Sequence, residues 1–193
     1  MKYIGPALLL LSATQAVAEA PAYLPTRDVS ITYNLSEPGH RDATYQLAYD
    51  AAGQRARIDD PAQGTYFLVN LPDGTAQLVV PALHSTVNAP DLSALTRQIN
   101  TAGQARFTAL GPGHYAGLTC ETYLVLSDQG TGTACLTPDG VTLHFTGHDS
   151  HGSAEITAVS VSYQHNPSYL FSPPLGNSSI NLPPGMLQQL LGK

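Results

Sequence analysis

From Val29 onward the chain alternates apolar and polar residues with a period of two. Val29, Ile31, Tyr33 and Leu35 recur at every second position, and Tyr45, Leu47 and Tyr49 alternate with Thr44 and Gln46. Successive side chains of an extended backbone point to opposite faces, so the pattern predicts half-buried strands. Turn signals follow at short intervals: DAAGQ at 50–54, DPAQG at 60–64, LPDG at 71–74 and TPDG at 137–140. Asp or Pro sets each bend and Gly accepts a positive φ where one is needed. Between and after these turns, strands are predicted over 55–59, 65–71, 75–81, 120–126, 133–136, 141–146 and 154–163. The whole reads as an antiparallel meander of nine or ten strands.

One segment breaks the rhythm. In APDLSALTRQIN, Pro90 and Asp91 supply a helix start, and Leu92, Leu95 and Ile99 share one face at helical spacing. The spacing predicts an amphipathic helix from Asp91 to Asn100, ended by Gly103. The tail 171–193 is too rich in proline for a central strand. It is expected to wrap the sheet, with Met186 to Leu191 as a short final helix. A long antiparallel sheet must curl and cover its inner face. The fold class is therefore mainly β (α+β): a strongly curved antiparallel sheet or half-open barrel with one amphipathic helix over its concave face.

The first residues, MKYIGPALLLLSATQAVAEA, have the layout of a secretory leader: Lys2, an apolar run to Leu11, and small residues at Ala16 and Ala18. Cleavage is expected after Ala18 or after Ala20. The run is too short to anchor the chain in a bilayer, and no second long apolar stretch follows. No cysteine stands at the cleavage point to carry a lipid. The expectation is a periplasmic protein that is not lipid-anchored, has no transmembrane segment once processed, and forms a single β domain over 27–193. Two cysteines occur, Cys120 and Cys135, and export places them where disulfides persist. Closing that loop is worth about 3 kcal/mol in the chain-entropy model. If the two face each other across a hairpin, its turn falls at Ser127 and Asp128; a turn at Gln129 and Gly130 needs another register, with a bulge near SDQGTG.

Removing the leader takes Lys2 from the eight basic residues and leaves fourteen acidic ones, a net charge of −7. The remaining basic residues are scattered. Nucleic acid and anionic membrane surfaces are therefore unexpected partners, since both need clustered positive charge.

The segment HFTGHDSHG at 144–152 offers His144, His148 and His151 as metal-ligand candidates. Alternation over 141–146 puts Val141, Leu143 and Phe145 inward, and His144 outward with Thr142 and Thr146. His148, Asp149 and His151 then fall in a glycine-bounded, solvated loop, where histidine is ordinary. No H-E-x-x-H helix or Cys-x-x-Cys pair accompanies them, so neither a metal nor another cofactor is expected. A G-x-S-x-G elbow is absent, and Asp59 and Asp60 read as solvated turn acids before Pro61. With no nucleophile nominated, the chain is expected not to be an enzyme. Ten tyrosines and four phenylalanines instead give the sheet broad aromatic faces, either core packing or the wall of an apolar cavity.

The segments QRARIDDPAQGTYFLVNLPDGTAQLVVPAL, YAGLTCETYLV, ACLTPDGVTLHFTG and LFSPPLGNSSINLPPGM together resemble the exported bacterial proteins grouped as domain-of-unknown-function family 4412. The most specific element is Ala116-Gly117-x-x-Cys120-x-x-Tyr123 followed by Cys135-x-Thr137-x-Asp139-Gly140. That family is similar in fold to the periplasmic lipoprotein carrier (LolA-like) group, whose half-open barrel holds acyl chains under a helical lid. The resemblance implies this architecture and supplies no catalytic residue. Together these readings lead to an expected hydrophobic or lipid-like ligand under the helix, with Tyr66, Leu68, Leu78, Val80, Leu92, Leu95 and Ile99 as the cavity candidates. The competing expectations are a structural or interaction module that binds an envelope protein, and a metal-binding protein using His144, His148 and His151.

Overall fold

The computed structural model describes residues 20–149 and 152–186, without the side chains of Leu95 and Gln98. The expected leader, Ser150, His151 and all but the first residue of the expected final helix lie outside the described residues.

Twelve strands form one sheet. In chain order they are β1 (Val29–Ser36), β2 (Ala43–Asp50), β3 (Arg55–Asp60), β4 (Thr65–Asn70), β5 (Thr75–Val80), β6 (Ser85–Asn88), β7 (Arg106–Tyr115), β8 (Leu118–Ser127), β9 (Gly130–Leu136), β10 (Thr142–Asp149), β11 (Ser153–Ser162) and β12 (Ser178–Asn181). Helix α1 (Leu92–Ala102) joins β6 to β7. In space the strands run β12-β6-β5-β4-β3-β2-β1-β11-β10-β9-β8-β7. Every pairing is antiparallel except β12 with β6, which is parallel. Register breaks at Thr32/Tyr33, Ala109/Gly111 and Thr142/His144 add local bend and twist, and the sheet curls.

The mainly β, curved antiparallel architecture expected from the sequence is what the chain adopts. Three strands were not expected. β6 has only four residues, β7 contains Gly111, Pro112 and Gly113, and β12 lies in the proline-rich tail. All three lie in segments whose local composition reads as loop, and pairing with a neighbour overrides it. β7 and β12 are the edges, where Pro112 and shortness respectively are tolerated.

The turns are built by the side chains that signalled them. Asp60 Oδ1 accepts from the backbone N–H of Ala62 and of Gln63, each at 3.1 Å. Asp50 accepts from Gly53, and Asn70 from Asp73. Asp60 is therefore buried rather than solvated, and Asp59 is held by the Arg57 guanidinium at 2.7–3.1 Å. The β8–β9 hairpin turns at Asp128 and Gln129, with Ser127 opposite Gly130 and no bulge. That register sets Thr122 opposite Cys135, so the Cys120–Cys135 disulfide crosses on the diagonal, with Cα atoms 5.4 Å apart.

Helix α1 begins where Pro90 and Asp91 predict, and Gly103 follows it with an ordinary right-handed φ of −65°. Asp91 does not cap it. Both carboxylate oxygens accept from the backbone N–H of Gly185 at 3.0 Å, which ties the tail to the helix start. The helix packs on β5, burying Leu92 with Leu78, Val87 and Ala89. Thr96, fully buried, donates its hydroxyl to the Gly74 carbonyl at 3.0 Å in the β4–β5 turn, with the Ser93 carbonyl also within reach.

Asn166 locks the sheet's middle. Its Nδ2 donates to the Val29 and Tyr49 carbonyls at 3.0 and 2.9 Å, its Oδ1 accepts from Ser30, and its backbone N–H donates to Asp28. Leaving buried backbone carbonyls without their donor costs about 1–3 kcal/mol, so Asn166→Ala is expected to lose that much in urea unfolding. A midpoint within error of the parent would show that these bonds contribute nothing net.

Candidate functional site

The concave face is filled at one end and hollow elsewhere. Under β5 and β6 the helix occupies the space, but under β1–β4 and β8–β11 lies an open cavity of about 1320 Å³. Strand parity builds its wall. Ala56 and Ile58 alternate with Arg55, Arg57 and Asp59, and register sets Ile58 opposite Phe67 and Ala56 opposite Val69. Ile31, Tyr33 and Leu35 of β1 meet Leu47, Tyr45 and Ala43 of β2, and all of these except Ala43 line the space. Ala134 and Leu136 of β9 with Phe145 of β10 and Ile156 of β11 complete the opposite wall.

Depth grades the chemistry. Ile31, Tyr49, Ala56, Val69, Leu71 and Leu136 are buried, whereas Arg106, Leu126, Asp128, Gln129 and Asp149 at the rim are exposed. Tyr33, deep in the wall, donates its hydroxyl to the Thr142 carbonyl at 2.7 Å. Burial and, secondarily, the neighbouring Tyr163 push its pKa well above the usual phenol range, so it remains a neutral donor. Tyr49 is raised mainly by burial as well. Such a wall can hold an apolar body with a few fixed polar handles.

The segment before β1 closes one side. Tyr23, Leu24 and Pro25 line the cavity, and a Cβ at Gly103 would stand 2.6 Å from the Tyr23 ring, so the helix end and this strap meet closely. Asp139 fastens the strap. Its carboxylate accepts from Arg27 at 2.7 Å, from Tyr163 at 3.2 Å and from Thr137, and its carbonyl accepts from the Thr26 N–H at 2.9 Å. The Arg27 guanidinium also lies 3.6 Å from the Tyr163 ring centre. Burial alone would raise Asp139, but the Thr137 hydroxyl and Arg27 hold it below the ordinary carboxylate range.

Phe145 has its own accommodation. Gly147 lies two residues on along the same face, paired with Gly132. A Cβ at Gly147 would stand 2.6 Å from the Phe145 ring, and one at Gly132 would stand 3.2 Å from it. The glycine pair is the floor on which this ring lies.

Of the six cavity candidates with described side chains, only Ile99 borders the hollow. Leu78 and Leu92 are on the concave side but are consumed as core beneath the helix, with Val80 packed beside them. Tyr66 and Leu68 point to the opposite face, where they cluster with Val79 and where Arg57 stacks 3.7 Å from the Tyr66 ring centre. The Leu95 side chain lies outside the described set. The residues missed, Phe67 and Val69, sit one position away in TYFLVN, a run apolar on both faces; Tyr33, Leu47 and Ile58 follow from alternation in their own strands.

The histidine segment is also rearranged. β10 continues to Asp149, and His148 pairs with Ser153 of β11, so His148 and Asp149 lie on a strand rather than in a loop. The register break at Thr142/His144 turns Thr142 toward the cavity and buries Leu143 completely. His144 is not solvent-facing: it stacks on Tyr115, with ring centres 4.5 Å apart, and its Nε2 lies 3.0 Å from Glu155. His148 Nδ1 bonds the Ser153 hydroxyl. Among the described residues no three of His, Cys, Asp or Glu group as metal ligands, and no described helix is long and apolar enough to cross a membrane.

No protein-family model and no curated protein matches the chain, so membership of family 4412, expected from the sequence segments, is not confirmed. Solved structures share the fold. An uncharacterized conserved protein from Thermus thermophilus superposes with a TM-score of 0.56 over 81% of this chain and 91% of its own, at 12% identity. A structure of the MucA/MucB complex from Pseudomonas aeruginosa contains a chain with a TM-score of 0.50 over 75% of this chain, at 14% identity. The present chain spans only 55% of that protein's length. A LolA superfamily protein from Nitrosomonas europaea is similar at a TM-score of 0.41 and 9% identity, over 78% of this chain and 92% of its own. At these identities the first two likenesses establish the fold alone.

Two outcomes follow from the geometry. Gly147→Ala must push the Phe145 ring toward the lumen, and overpacking of this kind costs about 1–3 kcal/mol. Urea unfolding is expected to show that loss; an unchanged midpoint would mean the ring moves freely. Because Asp139 is depressed when folded, its stabilisation is present above the ordinary carboxylate range and is lost as pH falls through the folded value. The stability gap between parent and Asp139→Asn should therefore be largest near neutral pH and close below about pH 4. A gap that widened on acidification would reverse the assignment.

Proposed function

We propose that this chain is an exported, non-enzymatic protein of the periplasm that holds a hydrophobic or lipid-like ligand between the curved sheet and helix α1. The observation that carries the reading is the cavity: about 1320 Å³, open to solvent at one rim and walled by aliphatic and aromatic side chains. Ligand sites are commonly about 300–1,000 Å³, so the space suits a ligand at or beyond the upper end of that range. The leader-like sequence at 1–18 supports export, and the strap at Tyr23–Pro25 supplies a closed side against which an apolar body can rest.

The test is native mass spectrometry of protein recovered from the periplasm, together with binding of the neutral dye N-phenyl-1-naphthylamine. A copurified apolar adduct or saturable dye fluorescence is expected, and Gly147→Ala is expected to weaken both. A clean apo mass with no dye binding would sink the proposal.

A second reading, an interaction module of the cell envelope, is favoured by one observation. Leu83 and Leu175 are 68% and 103% exposed at the end of the β6–β12 pair, where the Ser178 N–H meets the His84 carbonyl. The neighbour from Pseudomonas aeruginosa was solved as a complex of two proteins. On this reading Leu83→Asp with Leu175→Asp abolishes copurification of a partner and leaves dye binding intact.

A further inference from the structure

The outer face of the sheet carries a second groove, of about 690 Å³, between β4, β5, β6, β12 and the tail. It shares only Val69 with the lumen. Strand pairing builds its floor. Leu68 stands opposite Gln77, Gln77 opposite Asn88, and Asn88 opposite Asn181, so these four side chains form one row across four strands. Leu68 belongs to the face that carries Arg57, away from the lumen, and the row goes with it.

The row is a relay of amides. Gln77 Nε2 donates to Asn88 Oδ1 at 2.7 Å, and Asn88 Nδ2 donates to Asn181 Oδ1 at 3.1 Å and to the Ser179 hydroxyl at 2.9 Å. A planar amide offers both a carbonyl acceptor and two N–H donors. The relay therefore leaves Gln77 Oε1 as an acceptor at one end and Asn181 Nδ2 as a donor at the other, each without a partner among the described residues. Asn181 is exposed and Gln77 half-buried, so both can reach a ligand. Phe171 and Pro173 of the tail supply an apolar wall beside the row.

No ionisable side chain is among the described residues that line this groove, and Asp73 beyond its end is engaged by Asn70 Nδ2 at 2.7 Å. A charged ligand would lose hydration here without gaining a counter-charge. A wholly apolar one would strip water from the amides and return no hydrogen bond. An extended peptide docks by adding to a free strand edge, whereas this floor is the face of paired strands. A neutral sugar meets both demands: each hydroxyl donates and accepts at once, and the C–H face of the ring is apolar. From Gln77 to Asn181 the row spans two strand spacings, about 10 Å, longer than a single sugar ring.

We propose that the outer groove binds a neutral oligosaccharide, with Gln77 and Asn181 as the recognising amides and Phe171 with Pro173 as the apolar wall. This site is separate from the lumen and does not depend on what the lumen holds.

The test is titration of the isotope-labelled mature protein, followed by amide NMR, with cellotetraose, maltotetraose and triacetylchitotriose, and with trigalacturonate as the charged control. Saturable shifts in β5, β6, β12 and the tail are expected for at least one neutral sugar, with a dissociation constant on the order of 1 mM, and none for trigalacturonate. Gln77→Ala with Asn181→Ala is expected to weaken binding about tenfold or more. Asn88 keeps Ser179 as its acceptor in that variant; Asn181→Ala alone, at an exposed position, gives the same direction of change should the pair of substitutions disturb the fold. Saturating N-phenyl-1-naphthylamine should leave sugar binding unchanged. Absence of shifts with all three neutral sugars, trigalacturonate binding as well as they do, or shifts that fall on lumen residues would overturn the proposal. So would parent affinity in variants that keep the parent spectrum. Failure of the dye to bind bears on the lumen alone.

Discussion

A single curled sheet has one inner face to cover, and the helix available here is too short to cover it. Eleven residues of α-helix span about 16 Å, whereas twelve strands at their usual spacing extend over roughly 50 Å along the sheet's arc. Helix α1 can bury the concave face of only a few strands, and it does so over β5 and β6, with Leu92 against Leu78 and Val87. The remainder must be filled by side chains reaching inward, closed by the sheet's own curl, or left open. Curl brings the walls toward each other, and the Tyr23–Pro25 strap shuts one side. What is left is a space of about 1320 Å³. The hollow is thus a consequence of the ratio between helix length and sheet length.

That ratio explains what could be read from the sequence and what could not. The alternation in VSITYNLS, ATYQLAYD and RARIDD has one apolar face and one polar face, so Ile31, Leu47 and Ile58 are assigned inward without ambiguity. In TYFLVN both faces are apolar, and a shift of one residue exchanges them. The assignment is fixed only by pairing: Ile58 stands opposite Phe67, which puts Phe67 and Val69 inside and sends Tyr66 and Leu68 to the face that carries Arg57. The helix residues were legible as a face, but a helical face states only that something is buried under it. Whether that something is core or cavity depends on how far the sheet extends beyond the helix, which is a non-local quantity.

The histidine-rich stretch failed for a related reason. Gly147 and Gly152 look like the two ends of a loop, because glycine is the usual punctuation of loops. Here Gly147 is inside a strand, where the Phe145 ring takes the room a side chain would need, an arrangement of aromatic over glycine known to support sheets. His148 and Asp149 are consequently strand residues, and the register break before His144 reverses the expected facing of Thr142. Period-two reasoning holds only between bulges, and nothing local in GVTLHF marks this one.

An apolar wall with nothing against it forfeits dispersion contacts that a filled core would have, so the empty form of this fold is less stable than its contact list alone suggests. The compensation is concentrated where the chain cannot yield: Asn166 bridging β1 and β2, Thr96 joining the helix to the β4–β5 turn, Asp139 gathering the strap, and the disulfide across β8 and β9. None of these residues is among those that line the hollow, so this bracing does not take up the lumen. Any ligand that binds the folded form alone then adds stability in proportion to the logarithm of its concentration over its dissociation constant. The same unfilled volume that weakens the empty protein is what makes occupancy register as a gain in stability.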